Sequence, residues 1–272
     1  MIESIDAYYR HGPHLALYKA IPGLQDFWED LWLSSSIPEV LKRAGAGMLG
    51  EFEFPFTAYL PKNGLILEAG CGSGRYVKAL QARGYTIEGI DYAAETIKRI
   101  QEVDPDLQVR EGNILAIDRP DNTYAAYISI GVLEHNFEGP ESGVQEAHRV
   151  LKPGGVALVS VPYLNWARRR VRDKASSAAS ETLPGGLRFY QDHIDIEHFT
   201  ALFEATGFRV LNCYPYLLFG GLIRDWRLGR WLNRNSFFSW RARQLFKRMC
   251  ESAPTPIRNE LSHMMMVIAE KK

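Results

Sequence analysis

The segment Gly64 to Gly70 (GLILEAG) is a short apolar run that ends in glycine, and it continues as Cys71-Gly72-Ser73-Gly74 into residues 74–83, which read as a helix. An apolar run that enters a glycine turn and leaves as a helix has the form of a buried parallel strand. The pattern then repeats. Tyr85 to Ile90 reads as a second strand ending at Asp91, and Ala93 to Val103 as a helix stopped near Asp104-Pro105. Leu107 to Glu111, Tyr124 to Ile130 and Val156 to Val161 read as further strands, with a helix over Glu141 to Leu151. A helix over Ile196 to Thr206 stops at Gly207, a strand follows from Phe208 to Tyr214, and Met264 to Ala269 is the last apolar strand. Strands alternating with helices of about ten residues imply right-handed βαβ units and a doubly wound, mostly parallel α/β sheet. Ligands of such sheets bind beyond the carboxyl ends of the strands. The loops at 70–75, 91–92, 112–114 and 131–136 are therefore expected to converge on one pocket.

With 272 residues the chain makes one large domain or one domain with appendages. Residues 1–62 show aromatic and helical segments without a clear strand and read as an N-terminal helical cover. Residues 63–215 and 261–272 form the expected core, with 163–190 as a lid-like insertion and 216–260 as a basic, aromatic helical cap. Lys+Arg and Asp+Glu are 32 each, so no overall field steers the chain to nucleic acid. The three cysteines are far apart and form no CxxC pair, which speaks against a disulfide framework or a zinc knuckle. No signal peptide or long apolar span is visible, and a reducing cytoplasm is the expected location. The sequence carries no statement of oligomeric state.

Glycines at 70, 72 and 74 let the backbone turn sharply and approach a ligand, and the helix start behind them presents free N–H groups. Asp91 follows Gly74 by 17 residues at the tip of the second strand, where a carboxylate accepts bonds from both hydroxyls of a ribose. Together these features mean an adenosine-containing cofactor. A dinucleotide is the competing reading, but Tyr76-Val77 stand where its fingerprint needs a last glycine. Glu68, two positions before the first glycine, can accept bonds from an α-ammonium group, which a pyrophosphate cofactor lacks. A purely structural glycine turn is the third reading.

The sequence resembles the class I S-adenosylmethionine-dependent methyltransferases, in the small-molecule branch similar to the quinone-biosynthesis methyltransferases. The resemblance rests on Ile66–Gly74, Gly89–Ala93, Gly112–Ile114, Ile130–His135 and Arg149–Gly155, in the family's order and spacing. It implies a Rossmann-like seven-stranded sheet with an antiparallel last strand. It also implies S-adenosylmethionine as cofactor, with S-adenosylhomocysteine as product. Glu68, Gly70, Cys71, Gly72 and Gly74 would hold its methionine part, Asp91 its ribose, and Tyr92, Asn113 and Ile114 its adenine. Ile130 and Gly131 would line the sulfur side. The Tyr8-Tyr9-Arg10 segment looks like family N-terminal segments that close over the site, which makes Tyr9 a substrate-side candidate. Tyr190 and Gln191 stand where relatives place substrate-pocket residues.

Methyl transfer from a sulfonium is an in-line displacement, so alignment and a dry site are what the protein supplies, worth roughly 7–11 kcal/mol. A base is needed only for an acceptor that keeps its proton. His135, in the loop after the fourth strand, is the candidate base, with an ordinary pKa of about 6.5; the alternative is a residue that only shapes the loop. Relatives that use a metal carry a second acid three positions before Glu134. Here Gly131 stands there, so no metal is expected. His193 and His198 lack a helical i, i+4 spacing and are not expected to bind metal. Cys71 reads as a small turn residue.

Residues 223–248 carry eight Arg/Lys and one acid, a net +7, and residues 166–174 a net +4, leaving −11 on the rest of a neutral chain. Trp and Phe residues interleave with the arginines of 223–248. Three readings fit: a solvated helical cap, a site for an anionic or carrier-linked acceptor, and peripheral contact with a membrane surface. The first function hypothesis is methyl transfer to a small molecule, with an oxygen acceptor preferred. The others are a non-catalytic cofactor-binding module and a different enzyme on the same fold.

Overall fold

The computed structural model describes residues 7–177, 180–225, 249–250 and 252–272. The chain forms two compact units. One takes the described residues of Met1–Ala20, Ser160–Phe199 and Cys213–Met266, the other Ile21–Val159, Thr200–Asn212 and Val267–Lys272. Strands β1 (Ala7–His11) and β2 (His14–Lys19) open the chain in the first unit. The second unit begins with helices α1 (Leu24–Ser34), α2 (Ile37–Ala44) and α3 (Glu53–Tyr59).

The strand that leads into the glycine turn is β3 (Ile66–Ala69), and all four of its residues are buried. A parallel strand covered on both faces reads as a continuous apolar run rather than an alternating one. The second unit continues with α4 (Arg75–Gln81), β4 (Ile87–Asp91), α5 (Ala94–Val103), β5 (Val109–Glu111), β6 (Tyr124–Ile130) and α6 (Glu141–Val150). β3 pairs in parallel with β4 on one side and β6 on the other, with Ile66 opposite both Ile87 and Ala126. β7 (Leu151–Pro162), β10 (Phe208–Tyr216) and β11 (Met264–Lys271) complete a seven-stranded sheet in the order β10-β11-β7-β6-β3-β4-β5. The last strand runs antiparallel to its neighbours. The doubly wound Rossmann-like sheet is thus as expected.

Helix packing on the sheet needs Gly89 in β4. A Cβ there would lie 2.7 Å from Val77 Cγ2 and 2.9 Å from Cys71 Sγ, so the glycine lets the turn and α4 rest directly on the strand. In α2 the buried residues are Ile37, Leu41 and Ala44, spaced i, i+4, i+7 along one face.

The first unit differs from the sequence reading. Residues 7–19 are not a helical cover but a hairpin, whose turn is Gly12-Pro13 with Gly12 at φ +56 and His11 opposite His14. Leu15 to Tyr18 of β2 are all buried, so the period of two that marks a strand in sequence is absent. β2 pairs antiparallel with β9 (Leu187–His193), and β9 with β8 (Thr182–Leu183), giving the order β1-β2-β9-β8. The stretch 163–190 therefore supplies two strands and α7 (Trp166–Arg172) to this unit, and the boundary expected at 62/63 is not where the chain divides. α8 (Ile196–Ala205) precedes β10, while α9 (Leu218–Asp225) and α10 (Thr255–Leu261) lie between β10 and β11.

The arginines of 166–174 are mostly paired within the unit. Arg168 is buried, donates to the Tyr163 and His263 carbonyls at 2.8 and 3.0 Å, and pairs with Asp225 at 3.2 Å. Arg169 pairs with Glu260, Arg172 with Asp195 at 3.1 Å, and Arg170 stacks on Trp166. A buried arginine with a carboxylate partner and carbonyl acceptors serves the fold rather than a ligand. The +7 segment, apart from Asp225, lies outside the residues whose side chains are described.

Candidate active site

The glycine turn is held from beneath and from the side by two carboxyl groups. Glu68 Oε2 accepts from Val77 N–H at 3.0 Å, one of the first-turn donors of α4 that has no partner within the helix. Burial pushes the Glu68 carboxyl up to about 8. Asp91, the last residue of β4, accepts from Gly72 N–H at 2.8 Å and from Ala93 N–H at 3.0 Å. It too is raised by burial, against the N–H groups of Ala93, Gly72 and Tyr92. The turn is left-handed at Gly72 and Gly74, with φ of +48 and +71. Where β3 and β6 end, a Cβ on Gly70 would come within 2.8 Å of Val132 Cγ1, so only glycine lets the two loops meet.

Beyond these strand ends lies a cavity of about 470 Å³, wholly within the second unit. Of the expected residues, Gly70, Asp91, Tyr92, Asn113, Ile114, Ile130, Gly131 and His135 line it. Cys71, Gly72 and Gly74 shape the turn without lining the cavity, and Glu68 stands behind the turn, bonded to α4. The Cys71 thiol is buried and pushed up, which fits an inert turn residue. Asn113 Oδ1 accepts from Leu115 N–H at 2.9 Å and so fixes its own loop. Burial and the Asp91 carboxylate both raise the Tyr92 phenol.

Tyr9, Tyr190 and Gln191 belong to the other unit's sheet and are not among the lining residues. Tyr9 packs edge-on to Tyr18 at 5.3 Å, Lys19 sits over the Tyr190 ring at 3.8 Å, and Gln191 pairs with Leu17. Their places follow from the β2–β9 pairing, which the sequence did not disclose. His193 is buried there and bonds the Leu15 carbonyl at 3.1 Å. No group of metal-binding side chains occurs among the described residues.

Sequence reasoning missed one wall. α1 places Leu24, Gln25, Trp28 and Trp32 on one face, and all four line the cavity. Trp28 and Trp32 stack at 5.8 Å, and Trp28 meets the His135 ring edge-on at 4.9 Å. Trp32 also covers Gly72, whose Cβ position is 2.7 Å from the indole. The i, i+4 tryptophans of FWEDLW were the available signal. His135 ends the short helical turn Leu133–His135 after β6. Among the described residues, Asp91 is the only carboxylate on the wall, and no lysine or arginine lines it.

This donor set fits S-adenosylmethionine. The side-chain-free turn leaves room for its methionine part, and Asp91 keeps lone pairs for ribose hydroxyls. Ile114 offers apolar contact to an adenine and Ile130 to the sulfur side, and the volume falls within the usual range for ligand sites.

Residues 67–159 match the family described as a methyltransferase domain. A protein of Mycolicibacterium smegmatis, named a probable S-adenosylmethionine-dependent methyltransferase, is 28% identical over 145 residues, covering 53% of this chain and 52% of that one. The ubiquinone biosynthesis O-methyltransferase of Paracidovorax citrulli is 32% identical over 101 residues, covering 35% and 42%. The chain thus spans about half the length of these curated relatives. Among solved structures, the Haloferax volcanii methyltransferase in complex with the Trm112 activator shares the fold, with a TM-score of 0.58, 14% identity and coverage of 91% and 97%. The chain carries a class I S-adenosylmethionine-dependent methyltransferase domain, and S-adenosylmethionine is the cofactor of that domain.

Proposed function

We propose that the chain transfers a methyl group from S-adenosylmethionine to a hydroxyl oxygen of a small-molecule acceptor, with His135 as the base. The observation that carries this reading is that Asp91, the Gly70 turn and His135 share one cavity wall. When bound, the cofactor supplies a methyl group already activated on a sulfonium. Asp91 binds the ribose hydroxyls while still holding the glycine turn through Gly72 N–H. Tyr92, Asn113 and Ile114 frame the adenine, and Ile130 and Gly131 line the sulfur side. Leu24, Trp28 and Trp32 exclude water and fix the acceptor's angle of approach, the orientation that such a displacement depends on. His135 removes the acceptor's proton, a contribution of about 10²–10⁴-fold.

The Paracidovorax relative is named an O-methyltransferase, which supports an oxygen acceptor, and an aromatic acceptor suits the tryptophan face. The carrier-linked and membrane-surface readings rest on residues 223–248, and co-sedimentation with anionic vesicles decides the latter. No helix among the described residues is long and apolar enough to cross a membrane. Cys71 and Cys213 are free thiols, which suits a reducing cytoplasm.

Thermal shift and turnover test the proposal. S-adenosylhomocysteine at 100 times its Kd should stabilise the protein by about 2.7 kcal/mol, and NAD should not. A panel of phenols, amines and carbon acids then reads the acceptor. Turnover on amines alone would reject the oxygen acceptor. Cofactor binding without turnover on any class would favour the non-catalytic module.

A further inference from the structure

Trp32 of α1 stands over the glycine turn. The position that a Cβ would take on Gly72 is 2.7 Å from its Cζ2, 2.8 Å from Cε2 and 3.2 Å from Cη2, three atoms of the six-membered ring. Gly72 also donates to Asp91 at 2.8 Å. It thus connects the turn that would hold the methionine part of the cofactor to the carboxylate that would hold its ribose. The cofactor's sulfur is the atom that joins those two parts covalently. Trp32 therefore borders the part of the cavity in which a sulfonium charge has to be accommodated. The residue is half-buried, and its ring stacks on Trp28 with 22° between the planes and 5.8 Å between centroids, which fixes its orientation.

The two carboxyl groups at the turn have other tasks. Glu68 is bonded to Val77 N–H at 3.0 Å, and burial pushes it up to about 8, so it holds a proton at neutral pH. Asp91 accepts from Gly72 and Ala93 N–H groups and is the group that would take the ribose hydroxyls. A cation over an indole face is attracted by the ring's π electrons, and the attraction grows as the pair is removed from water.

We propose that Trp32, oriented by Trp28, is a specificity-determining residue for the charge of the cofactor: its indole recognises the sulfonium and favours S-adenosylmethionine over S-adenosylhomocysteine. The two differ by one methyl group and by the positive charge on sulfur. A site that reads this charge binds the donor and lets the product go. The inference rests on the cofactor and is independent of His135 as the base.

Calorimetry on the full chain without acceptor tests this. It measures Kd for S-adenosylmethionine, S-adenosylhomocysteine and sinefungin, an analogue that carries an ammonium group in place of the sulfonium. The readout is the ratio of the product's Kd to the donor's. Trp32→Leu should lower that ratio roughly 3–30-fold, the affinity equivalent of an indole–cation contact, and sinefungin should follow the donor. Trp32→Phe, with a weaker π face, should fall in between. An equal loss of affinity for all three ligands in Trp32→Leu would make the ring a space-filling wall and overturn the proposal. A ratio that falls in Asp91→Asn but not in Trp32→Leu would assign the charge to the carboxylate and overturn it too. If Trp32→Leu does not fold, wild-type sequence grown with mono-, di- and trifluorinated tryptophan answers the same question, because fluorine withdraws π density with little change of shape. A ratio that falls stepwise supports the proposal, and a constant ratio rejects it. Wild-type protein that binds none of the three would remove the cofactor assignment itself, and the inference with it.

Discussion

The Asp91 carboxylate has about four lone-pair sites, and it uses two inside the protein, on Gly72 N–H and Ala93 N–H. It therefore has a structural and a binding role at once, and substitutions should separate them. Asp91→Ala should weaken S-adenosylhomocysteine binding at least about tenfold by calorimetry. It should also cost about 1–3 kcal/mol of stability, because two buried donors lose their acceptor. Asp91→Asn keeps one acceptor oxygen and should recover part of the stability but less of the affinity. Glu68 behaves differently because its carboxyl stands behind the turn. Glu68→Gln preserves an acceptor for Val77 N–H and should leave melting at neutral pH nearly unchanged, whereas Glu68→Leu should cost about 1–3 kcal/mol. Loss of cofactor affinity in Glu68→Gln with no loss of stability would return that residue to the cavity wall.

At the scale of elements, α1 is the least anchored part of the site. None of its residues is buried, and its acidic first turn follows a Gly23 that gives no side-chain cap. It is held over the cavity by Leu24, Trp28 and Trp32, which face a ligand space rather than a packed core. Helical stability in proteins comes mainly from such packing, so a ligand that fills the cavity should stabilise the helix. Hydrogen exchange of residues 24–34 should therefore slow on adding S-adenosylhomocysteine, while β3 and β6 change little. Trp28→Ala should raise KM or lower kcat about tenfold with a change in melting temperature of only a few degrees. A large drop in melting temperature would make Trp28 a core residue instead. The hairpin of β1 and β2 poses the opposite case. Its strand β2 is buried from His14 through Tyr18, and its partner β9 lies more than 150 residues away in sequence. Neither the burial nor the pairing could be read from residues 1–62.

At the scale of the whole molecule, the two units should respond to pH with opposite slopes. In the second unit, burial raises Glu68 and Glu134 from 4.5 to about 8. Their folded pKa lies above the unfolded one, so the stability they contribute is complete below about 4.5 and is lost as pH rises towards 8. In the first unit, burial lowers His14 from 6.5 to about 4, and His193 falls as well. Their contribution is complete above 6.5 and is lost as pH falls towards about 4. Each group shifts stability by about 1.4 kcal/mol per pH unit at most within its window. Exchange of β3 amides should thus quicken from pH 5 to 8, after correction for the intrinsic rate, and exchange of β2 amides should quicken from pH 6.5 to 4.5. Parallel slopes in both units would mean that other groups dominate.

The order of residues fixes those elements whose signals are local. The apolar run of β3, the glycines of the turn, Asp91 at the end of β4 and the loop carrying His135 are each a strand end followed by a turn, and strand order then brings them together. Tertiary structure alone decided what packs on those ends. It put α1 and its tryptophans on the wall, turned Glu68 inward to α4, and took Tyr9, Tyr190 and Gln191 into another sheet. It also buried Arg168 beside Asp225, where composition showed only positive charge. The physical reason is the range of the interactions. Periodicity and turn chemistry act over a few residues and leave a trace in the text of the chain. Side-chain burial and strand pairing join residues far apart in sequence, and which of the many complementary surfaces meet is settled only when the chain is folded.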